Sequence, residues 1–281
     1  MKKITFYLSI LLLYSCQNFG NLTLLTDLPK SLKEVSGIEA EKSSNLLWMI
    51  NDGGNSAVLY GISKNGKIKK EIKVNAKNHD WEDLTTDESG NVYIGDFGNN
   101  VSKRKNLSVL KINHNNLLKK KVEVEKIKFY YPNQYTFPPK KSKRFFDAEA
   151  FFYLKDSLYI FTKSRVKNHF GKTSLYRIPA SKGNYKAEFI SEFNHCNELE
   201  CWITSAAISP NKEKVVLLTP KKVLVFTNFK NDNFFSGELT EIPLGYVSQK
   251  ESITFKNNNT VFITDEKSHL KGGNLYELEI N

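Results

Sequence analysis

The chain has 281 residues, among them 19 Phe and 13 Tyr, and a formal net charge of +11. That length suits one large β domain or two small ones with a substantial core. The charge is nearly all Lys, scattered among Asn, with Arg only at 104, 144, 165 and 177. This pattern lacks the Arg-bearing clustered faces of a nucleic-acid site and argues against that class of partner.

The N-terminus opens with Lys2 and Lys3, followed by an apolar run over residues 4–13. Ten residues are too few to span a bilayer and read as the core of an export signal. Leu13-Tyr14-Ser15-Cys16 resembles the lipobox of bacterial lipoproteins, departing from it at Tyr14, where a small residue is usual. The resemblance implies that residues 1–15 are removed and that Cys16 is lipidated, palmitate included. Residues 16–20 would form a short tether and 21–281 the domain. The expected location is the cell envelope, anchored to a membrane and facing the periplasm, since no acidic run follows Cys16. An ordinary signal peptide cut near Ser15 is the alternative.

The other cysteines, Cys196 and Cys201, have four residues between them. In an oxidising compartment they are expected to form a local disulfide. A zinc site needs about four ligands, and only His195 lies nearby in sequence.

One unit recurs along the rest of the chain. A strand opening with an acidic or small polar residue leads through a turn to a second apolar strand with a polar end. Glu82-Asp83-Leu84 leads to Tyr93-Ile94-Gly95-Asp96, Glu149-Ala150-Phe151 to Ile160-Phe161-Thr162-Lys163, and Glu251-Ser252-Ile253 to Phe262-Ile263-Thr264-Asp265. In each the opening Glu precedes the closing Asp or Lys by 14 residues. Looser copies run from Thr204 to Thr219 and from Glu34 to Asp52. Third strands follow, such as Leu59-Tyr60-Gly61-Ile62 and Leu175-Tyr176-Arg177-Ile178. Fourth strands are expected over 69–74, 122–130, 187–193 and 238–244. The fifth unit lacks one, and 22–26 can supply it. This predicts an all-β fold: a β-propeller of five four-stranded blades closed by an N-terminal strand. Residues 130–145, with Pro132, Pro138, Pro139 and the basic run Lys140-Lys141-Ser142-Lys143-Arg144, read as an insertion; a sixth blade is the alternative. The basic run reads as a solvated loop, or as a site of attraction to anionic lipid or an anionic substrate.

The repeat puts polar residues in register. Antiparallel neighbours bring the start of one strand beside the end of the next. Glu82 is therefore expected near Asp96, Glu251 near Asp265, Glu149 near Lys163, and Glu34 or Ser36 near Asp52. Asp80, Asp83, Asp147 and Glu266 adjoin them. So many carboxylates at one axial mouth require protons or a cation, and hard oxygen ligands favour calcium. The candidate metal ligands are Asp52, Glu82, Asp96, Glu149, Glu251 and Asp265. The alternative is that these groups cap strand ends. Candidate catalytic residues are Glu82, His79 and Lys163. Trp48, Trp81 and Trp202 read as inter-blade core, with an aromatic platform for a ligand as the other reading.

Asn51-Asp52-Gly53-Gly54, Asp80-Trp81-Glu82-Asp83, Gly95-Asp96-Phe97-Gly98-Asn99-Asn100 and Phe146-Asp147-Ala148-Glu149-Ala150, with Glu34-Val35-Ser36-Gly37-Ile38 and Lys250-Glu251-Ser252-Ile253, resemble a family of bacterial propeller lipoproteins. That family is distantly similar to phytase-like and SdiA-regulated propellers, and more remotely to the gluconolactonase and regucalcin group. The resemblance implies a calcium-bearing channel and, in some relatives, hydrolysis of a phosphate ester or lactone. No complete catalytic set is matched. Two functions therefore stand as expectations for a monomeric envelope lipoprotein. One is binding of a small anionic molecule, glycan or envelope protein at the acidic mouth. The other is calcium-dependent hydrolysis.

Overall fold

In the computed structural model, the described residues are 18–41, 44–268 and 271–281. Cys16 and residues 1–15 lie outside them.

The described residues form five β sheets. From axis to rim, the first blade is Val35–Ala40, Leu46–Asn51, Val58–Ser63 and Ile68–Val74. The second is Trp81–Thr86, Val92–Asp96, Ser108–Ile112 and Glu125–Tyr130. The third is Asp147–Leu154, Ser157–Lys163, Lys172–Pro179 and Glu188–Asn194. The fourth is Ser205–Ile208, Val215–Leu218, Lys222–Thr227 and Glu238–Pro243. The fifth is Lys250–Asn257, Thr260–Asp265 and Asn274–Glu279, completed by Thr23–Asp27. That N-terminal strand pairs antiparallel with Asn274–Glu279 and closes the ring, one residue later than the sequence suggests.

The protein is thus a five-bladed β-propeller, and residues 130–145 are a loop rather than a sixth blade. The strand expected over 122–130 divides in two. Lys121–Val122 adds in parallel to the outer strand of the first blade, and Glu125–Tyr130 stays in the second. Gly183–Lys186 likewise crosses over to pair in parallel with Glu125–Tyr130. These crossovers cover sheet edges that would otherwise be open to pairing.

The apolar residues fill the five wedges between successive blades. On one strand, Trp48 and Ile50 pack towards the second blade, while Leu47 and Met49 pack towards the fifth. Both faces of an inner strand are buried, which explains runs such as Leu47-Trp48-Met49-Ile50 and Val215-Val216-Leu217-Leu218. The wedges widen away from the axis, and aromatic rings fill them. Phe151 meets Phe97 edge-on at 5.2 Å between blades two and three. Phe193 meets Phe226 at 5.2 Å between blades three and four.

The axis itself is polar. Asp83 is 1% exposed and accepts hydrogen bonds from the Leu84 amide and the Ser205 hydroxyl, both at 2.9 Å. The Phe151 amide reaches it at 3.4 Å. Ser205 Oγ in turn accepts from the Ile253 amide at 3.1 Å. One carboxyl and one hydroxyl thereby link blades two, three, four and five. On the other side, Ser36 Oγ donates to the Trp81 carbonyl at 2.9 Å and ties the first blade to the second. Burial pushes the Asp83 carboxyl well above its ordinary pKa, against the pull of these donors.

Removing a buried acceptor leaves its donors unsatisfied. Asp83→Ala is expected to cost roughly 2–4 kcal/mol in denaturant unfolding, and Asp83→Asn, which keeps one carbonyl oxygen, about half of that. A loss under about 0.5 kcal/mol in Asp83→Ala would show that the axial bonds do not join the blades energetically.

Candidate functional site

Five structurally equivalent residues, one per blade, line a cavity of about 400 Å³ on the axis: Ser36, Glu82, Glu149, Thr204 and Glu251. In four blades a β-bulge falls at this position. The register runs from Val35 opposite Asn51 to Gly37 opposite Ile50, and from Trp81 opposite Asp96 to Asp83 opposite Gly95. The same step skips Glu149 and Glu251. A bulge leaves one residue unpaired and re-aims its side chain. The carboxylates of Glu82, Glu149 and Glu251 therefore face the axis instead of joining the inter-blade core. Blade four, with Thr204, has no bulge in its hairpin.

The equal 14-residue spacing conceals two different registers. Asp96 lies opposite Trp81 and Asp265 opposite Lys250, whereas Thr162 is the residue opposite Ala148. Lys163 is thus one residue further along its strand than Asp96 is. Asp52 is likewise one past Asn51, which lies opposite Val35. One step along a strand reverses the side chain. Asp52, Lys163 and Glu266 line the cavity, and Asp96 and Asp265 do not.

Asp96 and Asp265 hold their own blades together instead. Asp96 bonds His79 Nδ1 at 2.8 Å, Arg104 at 2.9 Å and the Asp80 amide at 3.2 Å. Asp265 accepts from Tyr276 Oη and the Asn274 amide, both at 2.9 Å, and from Ser248 Oγ, with Lys250 Nζ at 3.4 Å. The expected neighbours Glu82–Asp96 and Glu251–Asp265 therefore diverge, and these two aspartates leave the candidate ligand set. His79 follows Asp96 out of the cavity, so the three candidate catalytic residues do not converge.

The cavity has two electrically distinct sides. On one, Lys163 pairs with Glu149 at 2.9 Å, and Arg165 with Asp147 at 2.6 Å and Glu149 at 2.7 Å. Both cations lie over the Trp202 ring, at 5.0 and 4.8 Å from its centre. That ring is already covered, so Trp202 is not an open platform. Trp48 and Trp81 are buried in the core. Glu149 is consumed by two cations and is a poor ligand for a third.

On the other side, oxygen atoms of Asp52, Asp80 and Glu82 all lie within 4.8 Å of one another. Among the described residues none of the three makes an ion pair. Glu82 is only 7% exposed and aims into the cavity. Two glycines make room for the group. A Cβ on Gly98 would lie 1.9 Å from Glu82 Oε1 and 2.6 Å from Asp80 Cγ, and one on Gly53 would lie 2.5 Å from Asp80 Oδ1. Burial, then neighbouring carboxylates, push Glu82 well above its ordinary pKa. Burial raises Asp52 to about 7, and it raises Asp80 as well. Three converging hard oxygens with no paired cation fit a divalent metal such as calcium.

The cavity lining holds seven acids (Glu34, Asp52, Glu82, Glu149, Glu200, Glu251 and Glu266) against Lys163, Arg165 and Lys250. It is an acidic mouth on a basic protein. Sequence reasoning reached Asp52, Asp80 and Glu82 but missed Arg165, Lys250 and the loop that carries Trp202. The scarcity of Arg was the available signal. Arg104, Arg165 and Arg177 all pair with carboxylates in this structure. Cys196 and Cys201 lie side by side in the Trp202 loop, their Cα atoms 6.0 Å apart, within disulfide range.

No family model matches the chain, and no curated protein does. Several solved structures are similar in fold. A catalytically inactive virginiamycin B lyase from Staphylococcus aureus, solved with quinupristin, is 15% identical, with a TM-score of 0.43 over 90% of this chain and 69% of that one. A candidate gluconolactonase is 10% identical, with a TM-score of 0.49 over 93% and 92%. The Dos1 propeller is 14% identical, with a TM-score of 0.42; the match covers 82% of this chain and about half, 52%, of that one. At these levels the likeness adds nothing to the reading of the cavity.

The buried acids fix a pH dependence. Burial raises Glu251 to about 8 in the folded chain, and Asp147 to about 7. A raised carboxyl holds its proton in the folded state while the unfolded chain releases it. Its contribution is complete below the unfolded pKa and is lost as pH rises through the folded one. Without added divalent metal, Tm is expected to fall by roughly 5 °C between pH 5 and pH 8.5. Glu251→Gln should flatten that slope. An unchanged slope in Glu251→Gln would remove Glu251 as its source.

Proposed function

We propose that the protein is a monomeric cell-envelope lipoprotein whose acidic axial cavity binds a small ligand through a calcium ion held by Asp52, Asp80 and Glu82. The observation that carries this reading is Glu82: a buried, unpaired carboxylate aimed into a cavity beside two other acids, in a space kept open by Gly53 and Gly98. Calcium would satisfy three oxygens that otherwise require protons. It would also present positive charge to an anionic group of the ligand. Lys163 and Arg165 flank the same cavity, and Glu149 holds them in place. Cys16 would carry the lipid anchor, and a Cys196–Cys201 disulfide would fix the loop that brings Leu199, Glu200 and Trp202 to the rim.

Binding is favoured over calcium-dependent hydrolysis of a phosphate ester or lactone because of how the candidate catalytic groups are placed. His79 is bonded to Asp96 away from the cavity, Lys163 is paired with Glu149, and Glu82 belongs to the cation group.

Calcium titration by calorimetry, with thermal unfolding, tests the cation site. At pH 8 and calcium about 100-fold above Kd, stability should rise by about 2.7 kcal/mol. Glu82→Gln, Asp52→Asn and Gly98→Ala should each abolish the rise. Asp96→Asn should retain it while lowering Tm without calcium. If calcium leaves Tm unchanged, or if Asp96→Asn loses the response along with the others, the site is wrongly placed. Membrane fractionation tests the anchor separately: Cys16→Ser should move the protein to the soluble envelope fraction.

A further inference from the structure

The net charge of the chain is not spread evenly. Residues 97–146 hold thirteen Lys and Arg against Glu123 and Glu125, a surplus equal to the whole chain's +11. The rest of the molecule is electrically balanced, and its ion pairs show how. Lys33, Lys163, Lys172, Lys212, Lys221, Lys222, Lys250 and Lys256 all pair with carboxylates, and all lie outside this stretch. Within it, Lys103, Lys105, Lys140, Lys141 and Lys143 are exposed, and no ion pair among the described residues involves them.

These five lysines belong to two loops that lie together. Gln134 Nε2 donates to the Ser102 carbonyl at 2.7 Å, and Lys105 Nζ sits 5.1 Å from the centre of the Phe137 ring. Between the loops is a largely apolar hollow of about 290 Å³, lined by Leu107, Phe129, Tyr130, Tyr131 and Phe137 with Arg104 and Lys105. Two rings stand outside the core: Tyr135, 84% exposed, and Tyr130, 49% exposed. The loop carries Pro132, Pro138 and Pro139, which limit its freedom.

We propose that loops 103–105 and 130–143 form a docking surface for an anionic lipid bilayer. The chemistry of the cations selects this occupant over an acidic protein. Recognition of particular carboxylates favours the planar fork of Arg. Both Arg residues of the stretch are part-buried, and Arg104 is committed to Asp96 and the Gly98 carbonyl. The exposed cations are all Lys, which act as diffuse point charges towards a surface of high charge density. Tyr rings and the long stems of Lys suit the headgroup boundary, where an apolar body and a polar tip are both satisfied. The proposal is independent of the axial cavity and of lipidation at Cys16.

The test is sedimentation of the full chain carrying Cys16→Ser with phosphatidylcholine vesicles, with and without 30% phosphatidylglycerol. Binding should require phosphatidylglycerol and weaken with salt. The triple variant Lys140→Gln, Lys141→Gln, Lys143→Gln should bind roughly a hundredfold more weakly. A control triple with the same change in net charge, Lys212→Gln, Lys222→Gln, Lys256→Gln, should bind within threefold of the parent. Tyr135→Ser, which alters no charge, should weaken binding about fivefold. Equal losses in both triples would overturn the proposal, because net charge alone would then account for the binding. So would binding that ignores phosphatidylglycerol. Polyglutamate binding as tight as vesicle binding, and lost in the first triple, would replace the bilayer with an acidic polypeptide.

Discussion

Five blades can close into a ring only if the inner strands agree on a common axis, and Asp83 is where that agreement is made. An apolar residue there would fill space but could not direct it. A carboxyl that accepts from Leu84, Ser205 and Phe151 fixes the angle between its own blade and two others, and Ser205 passes the constraint to a fourth. Burying that group is costly, as its raised pKa shows. The cost is tolerable because its lone pairs are met by donors from elements that must meet there in any case. The aromatic wedges then supply most of the stabilisation, while the axial bonds supply the geometry.

That geometry also makes the cavity. Directly beside Asp83, the bulge at Glu82 turns one carboxylate into the axis, and the same device acts at Ser36, Glu149 and Glu251. A regular strand would alternate these residues into the apolar wedges. The bulge lets the propeller keep a continuous core while presenting polar groups on its inner surface. The consequence is a cluster of acids that the fold only half neutralises. Lys163 and Arg165 balance the side of blade three, and no ion pair balances Asp52, Asp80 and Glu82. A local excess of unpaired carboxyl groups is expensive unless something occupies the site, and this asymmetry underlies the functional proposal.

Charge is divided on the larger scale as well. The acidic mouth and the basic stretch of residues 97–146 belong to one chain and carry opposite signs. The sequence reading met Lys140-Lys141-Ser142-Lys143-Arg144 as one patch of a diffusely basic protein. The missing information was pairing. Lysines elsewhere in the chain have carboxylate partners brought from distant strands, such as Lys212 with Glu88 and Lys221 with Glu200. Only after those cancel does the remaining charge appear localised.

The sequence by itself determined the blades. Hydrophobic runs of strand length, turn residues between them and a repeated polar opening are local features, and they fixed five four-stranded units and closure through the N-terminal strand. It also supplied the chemistry of the mouth, since Asp52, Asp80 and Glu82 were legible as acids at strand ends. Only the tertiary structure decided which acids meet. Asp96 and Asp265 share the same spacing from a Glu as Lys163, yet one residue of register separates them from it. Because strand side chains alternate with a period of two, that single residue sends them to opposite faces. Spacing along a chain cannot reveal a bulge whose position is set by packing between blades. Arg165 and Trp202 escaped notice for the same reason: their roles come from strands that are distant in sequence and adjacent only around the axis.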